Sequence, residues 1–328
     1  MKVIIYNTKT YDRHYFEKYA HGQFEFQFID ESLSLDTVHF AEDAFAVCIF
    51  VNDDASAPVL EKLAAYGVKG IAIRAAGHDQ TDSEAARRLG IRVANVPAYS
   101  PHAIAEHTVA MILTMARNII QADRRVKDYN FILDPLVGFN LHKKTVGIIG
   151  IGKIGGTTAK ILNGFGCNLI GFDPEPNNEY SEKYGLVYHP LDFVFSNSDI
   201  IVIHAPLNAH TKYMFNAESF SKMKDGVLIV NTGRGGIINT KDAIEALKSG
   251  KIGHLGIDVY ENEKGLFFTD KTTTIPQDDL FARLLTFKNV LVTGHMAFLT
   301  SNAITGIVDT TMANLDAWSK NENSVNEL

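Results

Sequence analysis

The chain has 328 residues, of which 46% are hydrophobic and 21% charged, an ordinary composition for a folded protein of one large or two medium domains. Its formal net charge of −7 argues against nucleic acid as the main partner, because that function calls for a basic face. No stretch approaches the roughly eighteen apolar residues of a membrane span, and the N-terminus lacks the pattern of a secretory signal.

Cysteine is scarce in this sequence. Cys48 and Cys167 are far apart, and Cys48 lies in the apolar run "AFAVCIFV", where a core thiol is the ordinary interpretation. Two distant cysteines do not make a disulfide framework. We therefore expect a protein of a reducing compartment, the cytoplasm.

The first hundred residues alternate between short β-branched runs and helix-like stretches. Helices are predicted over 57–67 and 81–90, each closed by a glycine, and strands are predicted over 2–7, 24–29, 44–50, 68–74 and 91–96. Apolar strands that alternate with helices indicate βαβ units and a parallel sheet that is covered on both faces.

Residues 100–130 break this alternation and are predicted to form one long helix. Ser100 suits the N-cap and Pro101 the first helical position. The portion "AIAEHTVAMILTMA" is apolar on most sides, so we expect it to be buried between domains or between subunits. This favours a homo-oligomer, a homodimer or a homotetramer.

A second alternating series begins at "KTVGIIGIGKIG", residues 144–155. A helix is predicted over 303–320, and further strands over 168–173, 199–205, 226–232, 253–259 and 289–294. The two series predict an α/β protein with two doubly wound parallel-sheet domains of the Rossmann or flavodoxin-like kind. The terminal helix is expected to return to the first domain, because no other partner for its apolar face remains in the second half.

Gly150, Gly152 and Gly155 have the spacing G-x-G-x-x-G between a predicted strand and a predicted helix. The first glycine allows a tight turn, the second lets the backbone approach a pyrophosphate, and the third lets helix and strand pack closely. Asp173 ends the next strand, where a carboxylate accepts hydrogen bonds from ribose hydroxyls and repels a 2′-phosphate. The pattern favours NAD over NADP, although FAD or a non-catalytic nucleotide also suits the glycines.

Three charged side chains follow the carboxyl ends of successive predicted strands: Arg234, Glu263 and His295. These ends share one edge of an open parallel sheet, and ligands bind there. Arg234 can hold a carboxylate with two hydrogen bonds. His295 can donate a proton to a carbonyl oxygen while Glu263 orients its ring. Taken singly, a surface Arg, a solvated Glu and a core His are the more ordinary interpretations; together they indicate reduction of a 2-keto acid.

The sequence resembles the D-isomer-specific 2-hydroxyacid dehydrogenases over essentially its whole length, most closely the fermentative D-lactate dehydrogenases. The matching stretches include "VPAYSPHAIAEHT", "GIGKIGG", "VNTGRGG", "GIDVYENEKGLFF" and "NVLVTGHMAFLT". The resemblance implies reversible hydride transfer between NADH and pyruvate, giving D-lactate. It also implies a substrate domain made of residues 1–100 and 299–328, an NAD-binding domain of residues 101–298, and a cleft between them.

The resemblance also assigns roles to individual residues. Arg234 binds substrate, Glu263 pairs with the histidine, and His295 is the acid and base. The resemblance also implies that Asp258 lies beside the nicotinamide carboxamide. The cofactor-binding group consists of Gly150, Gly152, Lys153, Ile154, Gly155, Asp173, Ala205, Pro206, Thr211, Thr232 and Gly233. The substrate-binding group consists of Ala76, Gly77, Tyr99 and Phe298.

Two departures from the family pattern lie near the expected substrate. His78 begins "HDQTD" where relatives carry an aromatic residue and "NNVD", and Met296 stands where relatives often carry Gln. These changes leave other keto acids open as substrates: 2-ketoisocaproate, hydroxypyruvate and glyoxylate. A dinucleotide-sensing protein of the corepressor kind is the alternative outside the enzymes. His102, His107 and His204 show no ligand-like clustering, so no metal is expected.

Overall fold

The computed structural model describes residues 1–19 and 22–328. Over these residues the chain divides into two compact units. The first unit comprises Met1–Ser100 and Leu299–Leu328, and the second comprises Pro101–Phe298. Each unit is built on one parallel sheet with helices against it, so the predicted α/β class with two parallel sheets is confirmed.

The predicted strands are shorter in the structure, mainly because residues at their predicted carboxyl ends leave the hydrogen-bonded ladder, and the short strand Val187–Tyr188 was not predicted. In the described part of the first unit, five parallel strands lie in the order β2-β1-β3-β4-β5: β1 (Lys2–Ile5), β2 (Glu25–Phe28), β3 (Ala46–Ile49), β4 (Gly70–Ile73) and β5 (Arg92–Ala94). In the second unit, seven lie in the order β12-β11-β10-β9-β6-β7-β8: β6 (Thr145–Ile149), β7 (Asn168–Phe172), β8 (Val187–Tyr188), β9 (Ile200–Ile203), β10 (Val227–Asn231), β11 (Ile252–Ile257) and β12 (Val290–Val292).

Helices connect most of these strands, as parallel neighbours require. The α-helices that the structure describes are, in chain order, α1 (Thr10–Phe16), α2 (Ala57–Ala65), α3 (Ser83–Arg88), α4 (Pro101–Ala116), α5 (Ile119–Lys127), α6 (Lys153–Gly164), α7 (Asn178–Tyr184), α8 (Leu191–Asn197), α9 (Ala217–Lys222), α10 (Thr240–Lys248), α11 (Asp279–Leu285) and α12 (Ser301–Ser319). Within the described residues, no helix combines the length and apolar character that a membrane crossing needs.

The terminal helix α12 packs in the first unit. Val308 and Trp318 belong to one buried cluster with Val3 and Ile5 of β1. Gly70 of β4 lies directly beneath the indole, since a Cβ at this position would stand 2.5 Å from Trp318. The contact depends on the absence of a side chain at residue 70.

The long helix predicted over residues 100–130 is wrong: the structure has two helices. α4 ends at Ala116 and α5 begins at Ile119. Asn118 between them has φ 52°, in the left-handed region, which asparagine adopts more readily than most residues and which ends a helix. The Ala116 carbonyl instead accepts the N–H of Phe139 at 3.0 Å.

The apolar side of α4 packs on the sheet of its own unit. Val109 and Ile112 lie in one buried cluster with Val146 of β6. Met111 and Met115 pack on β11, with their methyl carbons 3.2 and 2.7 Å from where a Cβ of Gly256 would stand. The apolar character of this helix is therefore accounted for within the second unit and is no argument for a subunit contact.

Candidate active site

The strand order of the second sheet puts the predicted site residues along one edge. Arg234 follows β10, Glu263 follows β11 and His295 follows β12, and these strands are direct neighbours. The glycine turn follows β6, which lies between β7 and β9. The chain order of the strands reverses between β6 and β9, and such a switch point is where open parallel sheets bind ligands.

The glycine turn has the geometry that each glycine was predicted to serve. Gly150 has φ +85°, and a Cβ there would stand 2.5 Å from the backbone nitrogen of Ala205. A Cβ at Gly155 would collide with the carbonyl of Gly150. Apart from its chain neighbours, no described residue comes within 4 Å of a Cβ built at Gly152, so the space before the N-terminus of α6 is open to a phosphate group. The turn therefore fits a dinucleotide.

Asp173 follows β7 and is bonded to the glycine turn. Its Oδ2 accepts the N–H of Ile151 at 2.6 Å, and its Oδ1 accepts the N–H of Glu175 at 2.9 Å. An ionised carboxylate has about four acceptor positions, so both oxygens can also accept ribose hydroxyls. Asp173 thus helps to shape the turn, and its contact with the adenosine ribose stays a prediction.

One imidazole and three threonine hydroxyls form a hydrogen-bonded chain that includes the predicted cofactor residue Thr232. His204 Nε2 is 2.9 Å from the hydroxyl of Thr158, and its Nδ1 is 3.3 Å from that of Thr232. Thr232 in turn lies 2.9 Å from the hydroxyl of Thr108. Desolvation lowers the pKa of His204 from 6.5 to about 4. The ring is therefore neutral at physiological pH and offers one donor and one acceptor.

We expect His204 to make stability depend on pH. Its pKa is lower in the folded than in the unfolded protein, so its contribution is complete above pH 6.5 and is lost as the pH falls toward 4. The full shift corresponds to roughly 3 kcal/mol; the side chain is partly exposed, and solvent screening reduces this to about 1–2 kcal/mol. Denaturant unfolding at a series of pH values would measure this change in the free energy of unfolding.

His204→Gln should flatten the dependence of the free energy of unfolding on pH, whereas His142→Gln at an exposed position should not. Equal pH dependence in both variants would contradict the role assigned to His204.

Thr211 and Pro206 form the turn after β9. The Thr211 hydroxyl donates to the Pro206 carbonyl at 2.6 Å, and it accepts the N–H of Asn208 at 2.8 Å. Thr211 is buried and Pro206 is exposed. Thr211 therefore fixes the turn from inside, while Pro206 forms its outer surface.

Arg234 is held by a residue that the sequence analysis did not select, Asn231. This buried side chain ends β10; its Nδ2 donates to the Arg234 carbonyl at 2.9 Å, and its Oδ1 accepts the N–H of Gly233 at 3.0 Å. The Arg234 guanidinium also donates to the Gly233 carbonyl at 3.0 Å. A polar residue that closes the apolar run "VLIVN" was the available signal, since a buried amide needs partners.

His295 and Glu263 form the central pair of the site. His295 Nδ1 lies 2.8 Å from Glu263 Oε1, and the two side chains are 15% and 18% exposed. The other oxygen of Glu263 accepts the N–H of Tyr260 at 3.2 Å, and the ring of Phe268 lies 5.6 Å from the imidazole. Because the Glu263 carboxylate is bonded to Nδ1, Nε2 is the ring nitrogen that remains available to a substrate oxygen.

Asp258 holds the turn after β12, a role that was not predicted from the sequence. Its carboxylate is fully buried; Oδ1 accepts from the Thr293 hydroxyl at 2.6 Å and from the N–H of Met296 at 2.9 Å, and Oδ2 accepts the N–H of Ala297 at 3.0 Å. Burial by itself would raise its pKa, but hydrogen bonds from His107, Thr293 and the two N–H groups outweigh burial and keep the pKa below its usual range. Asp258 thus remains charged and holds the turn after β12; its contact with the nicotinamide stays a prediction.

In the first unit, the loop after β4 carries the predicted substrate contacts Ala76 and Gly77. The Ala76 carbonyl accepts from Asn95 Nδ2 at 2.7 Å. Below it, the buried Arg74 pairs with Asp12 at 2.7 Å. The loop is therefore fixed on the sheet while Ala76 itself is exposed.

The remaining predicted substrate residues lie in separate parts of the chain. Tyr99 is partly buried in the first unit, and Phe298, the last residue of the second unit, is 7% exposed. The two residues that depart from the family pattern, His78 and Met296, are both exposed. Their effect on the substrate stays a prediction.

Comparison with known proteins agrees with this geometry. Residues 109–297 match the family model described as D-isomer specific 2-hydroxyacid dehydrogenase, NAD binding domain. A 2-hydroxyacid dehydrogenase homolog of Haemophilus influenzae is 50% identical over 96% of this chain and 95% of its own length. The D-lactate dehydrogenase of Escherichia coli is 49% identical over the full length of both chains.

A solved structure extends the similarity to three dimensions. The pyruvate reductase of Chlamydomonas reinhardtii superposes with a TM-score of 0.93 at 40% identity, and the match covers 99% of this chain and 98% of that one. The matched residues 109–297 include the glycine turn and the His295–Glu263 pair. The chain is therefore an NAD-binding oxidoreductase that belongs to the D-isomer specific 2-hydroxyacid dehydrogenase family.

Proposed function

We propose that the protein is an NAD-dependent D-lactate dehydrogenase. It reduces pyruvate with NADH and one proton to D-lactate and NAD⁺, and it runs in reverse when NAD⁺ and D-lactate are abundant. The observation that carries the proposal is the His295–Glu263 pair at 2.8 Å, on the sheet edge that also carries Arg234 and the glycine turn. The full-length similarity to a D-lactate dehydrogenase supports the choice of substrate.

His295 supplies the proton in this mechanism. As imidazolium, it donates from Nε2 to the carbonyl oxygen of pyruvate, which becomes the hydroxyl of lactate. Glu263 holds Nδ1 and stabilises the positive charge before the transfer. In the reverse direction neutral Nε2 takes the hydroxyl proton.

Arg234 binds the substrate carboxylate and polarises the adjacent carbonyl. Its planar guanidinium offers two parallel N–H groups, which match a carboxylate. The Asn231 hydrogen bonds fix the backbone from which the side chain extends. Ala76 and Gly77 are proposed to add backbone N–H donors, and Tyr99 and Phe298 apolar surface.

NAD is proposed to bind along the edge from the glycine turn to the Arg234 turn. Bound NADH supplies the hydride for this reaction. Gly150, Gly152 and Gly155, with Lys153 and Ile154, would hold the pyrophosphate, and Asp173 the adenosine ribose. Residues proposed to line the rest of the cofactor site are Ala205, Pro206, Thr211, Thr232, Gly233 and Asp258.

The direct test is the loss of NADH absorbance in the presence of pyruvate, followed by chiral analysis of the product. The proposal expects fast turnover that yields D-lactate only. L-lactate as the product would contradict it. Faster turnover with 2-ketoisocaproate, hydroxypyruvate or glyoxylate would reassign the substrate within the family. Tight NADH binding without turnover on any of these acids would favour the dinucleotide-sensing alternative.

We also propose that the chain forms a homo-oligomer, through a surface different from the one predicted. Residues 119–137, here called the arm, include no buried residue. The arm exposes a group of large apolar side chains: Ile119, Ile120, Val126, Tyr129, Phe131, Ile132, Leu133 and Val137. Such a concentration of exposed apolar surface is typical of a subunit interface, and a second copy of the chain is its proposed occupant.

Light scattering after size-exclusion chromatography tests whether the arm is a subunit interface. Wild type is expected to run as a dimer or larger, and the double variant Ile132→Asp, Leu133→Asp as a monomer, because a charged side chain is costly to bury at an interface. Ile275→Asp is the matched control, since Ile275 is 83% exposed outside the arm. A monomeric wild type, or an oligomer unchanged by the double variant, would exclude this interface.

A cytoplasmic location completes the proposal. Both cysteines are free thiols, Cys48 buried and Cys167 partly so. Free thiols are typical of a reducing compartment. Fractionation of the native host with an antibody to the chain would test this location.

A further inference from the structure

The turn that carries His295 has an unfavourable backbone conformation. His295 has φ +57°, in the left-handed region, which costs free energy for a residue with a Cβ. Its neighbour Gly294, which could adopt that region freely, is not among the glycines with positive φ. The conformation of the histidine must therefore be imposed by contacts around it.

Asp258 supplies most of those contacts. Its carbonyl accepts the N–H of His295 at 2.6 Å. Its carboxylate accepts the N–H groups of Met296 and Ala297 at 2.9 and 3.0 Å. Three consecutive N–H groups thus converge on one residue, so the direction of the imidazole depends on where the Asp258 carboxylate lies.

Thr293 and His107 fix that carboxylate from the other side. The Thr293 hydroxyl is 2.6 Å from Asp258 Oδ1 and 3.9 Å from the sulfur of Met111. Its single proton goes to the carboxylate, since the shorter contact to a charged oxygen is the stronger hydrogen bond. Thr293 therefore accepts from His107 Nε2 at 3.1 Å. This assigns the proton of the His107 ring to Nε2, and the same N–H makes a second, longer contact with Asp258 Oδ1 at 3.5 Å.

His107 lies on a helix that packs on the sheet of its own unit. It lies on α4, one turn before Met111 and two turns before Met115, both of which pack on Gly256 of β11. Its side chain is 19% exposed, so substitution there opens no large cavity. The helix thus offers a fixed point from which a hydrogen bond can hold the turn after β12.

We propose that His107 is a positioning residue for His295, acting through Thr293 and Asp258. It touches neither the substrate nor the acid–base nitrogen. It keeps the Thr293 hydroxyl aimed at Asp258, and the Asp258 carboxylate then holds the left-handed turn from which His295 extends. This inference rests on the proposed function, in which His295 transfers the proton.

The first test replaces the ring by one that cannot donate. His107→Phe is expected to lower kcat for pyruvate reduction by about tenfold to a hundredfold, the size of effect that misplacement of a reacting group has. KM for pyruvate and Kd for NADH should change less than about twofold. His107→Gln, which restores a donor at similar reach, should recover most of kcat. The matched control His102→Phe lies on the same helix with an exposed side chain and should behave as wild type.

A double-mutant cycle tests whether His107 acts on His295 through Thr293. Thr293→Val keeps the shape of the side chain and removes the hydroxyl, so it should lower kcat by a similar factor. The double variant His107→Phe, Thr293→Val should be no slower than the slower single variant, since both act in one chain of hydrogen bonds. Fully additive losses, or a loss confined to KM, would overturn the proposal.

Nuclear magnetic resonance of histidine labelled with ¹³C at Cε1 gives a readout without substrate. The His295 signal, assigned from its absence in His295→Gln, should move in His107→Phe and in Thr293→Val but not in His102→Phe. An unmoved signal in both variants would refute the positioning role whatever the substrate is. A wild-type protein that fails to turn over pyruvate while these signals move would refute only the proposed function.

Discussion

Replacing His295 by alanine is expected to lower kcat for pyruvate reduction by about a thousandfold, within the range that general acid–base groups contribute. The substitution removes the only proton donor that the proposed mechanism uses, so the carbonyl oxygen would develop negative charge without a proton. Stopped-flow measurement of NADH oxidation at saturating pyruvate would give the rate. NADH binding, followed by fluorescence, should stay within about twofold of wild type, because the proposed cofactor contacts lie in other turns.

Two comparisons make this result interpretable. His142→Ala changes an exposed histidine of the same unit and should retain the wild-type rate. If His295→Ala lost NADH binding together with turnover, the histidine would be structural and its pairing with Glu263 a stabilising contact only. If turnover stayed within tenfold of wild type, another group would be the proton donor.

Arg234→Lys is expected to lower kcat/KM for pyruvate by about a hundredfold to a thousandfold, comparable with the loss of one group that stabilises transition-state charge. Lysine keeps the positive charge but presents a compact ammonium group, which cannot form two parallel hydrogen bonds with a carboxylate. Both a higher KM and a lower kcat are expected, because the same guanidinium binds the acid and polarises the carbonyl. Steady-state kinetics over a wide pyruvate range would separate the two parameters.

Arg283→Lys provides the matched control, since Arg283 is an exposed arginine of α11. It should leave kcat/KM unchanged. A near-normal kcat/KM for Arg234→Lys would remove Arg234 from the substrate site. A change in Kd for NADH without a change in the pyruvate parameters would move it to the cofactor site instead.

Much of the molecule follows from local sequence patterns. The alternation of apolar strands and helices predicts two parallel sheets, which the structure contains. The family, the enzyme class and NAD as cofactor were also predicted and are confirmed. The approximate position of most strands is visible in the sequence, and parallel strands put their carboxyl ends at one edge of the sheet. That rule alone brings Arg234, Glu263 and His295 to neighbouring strands; their catalytic roles stay predictions.

The single helix predicted over residues 100–130 shows that local patterns do not predict where a helix breaks or which surface it packs on. Apolar residues on most sides of a helix indicate burial but do not say against which surface. The tertiary structure buries α4 on its own sheet and leaves the arm exposed. The break at Asn118 depends on one left-handed residue, and the alternative partner of the Ala116 carbonyl is Phe139, far along the chain.

Local sequence patterns were enough to place most strands approximately, to identify the glycines of the turn and to identify the charged groups that follow neighbouring strands. The hydrogen bonds that hold those groups in place depend on the tertiary structure. His107 and Thr293 are 186 residues apart, and no local pattern pairs an imidazole with a hydroxyl at that separation. The spacing of apolar residues predicts which side chains are buried, because the buried positions recur with the period of the helix or strand. A hydrogen-bond partner, in contrast, depends on which elements are neighbours in the fold. Asp258 can hold the His295 turn because β11, β12 and α4 lie next to one another in the second unit.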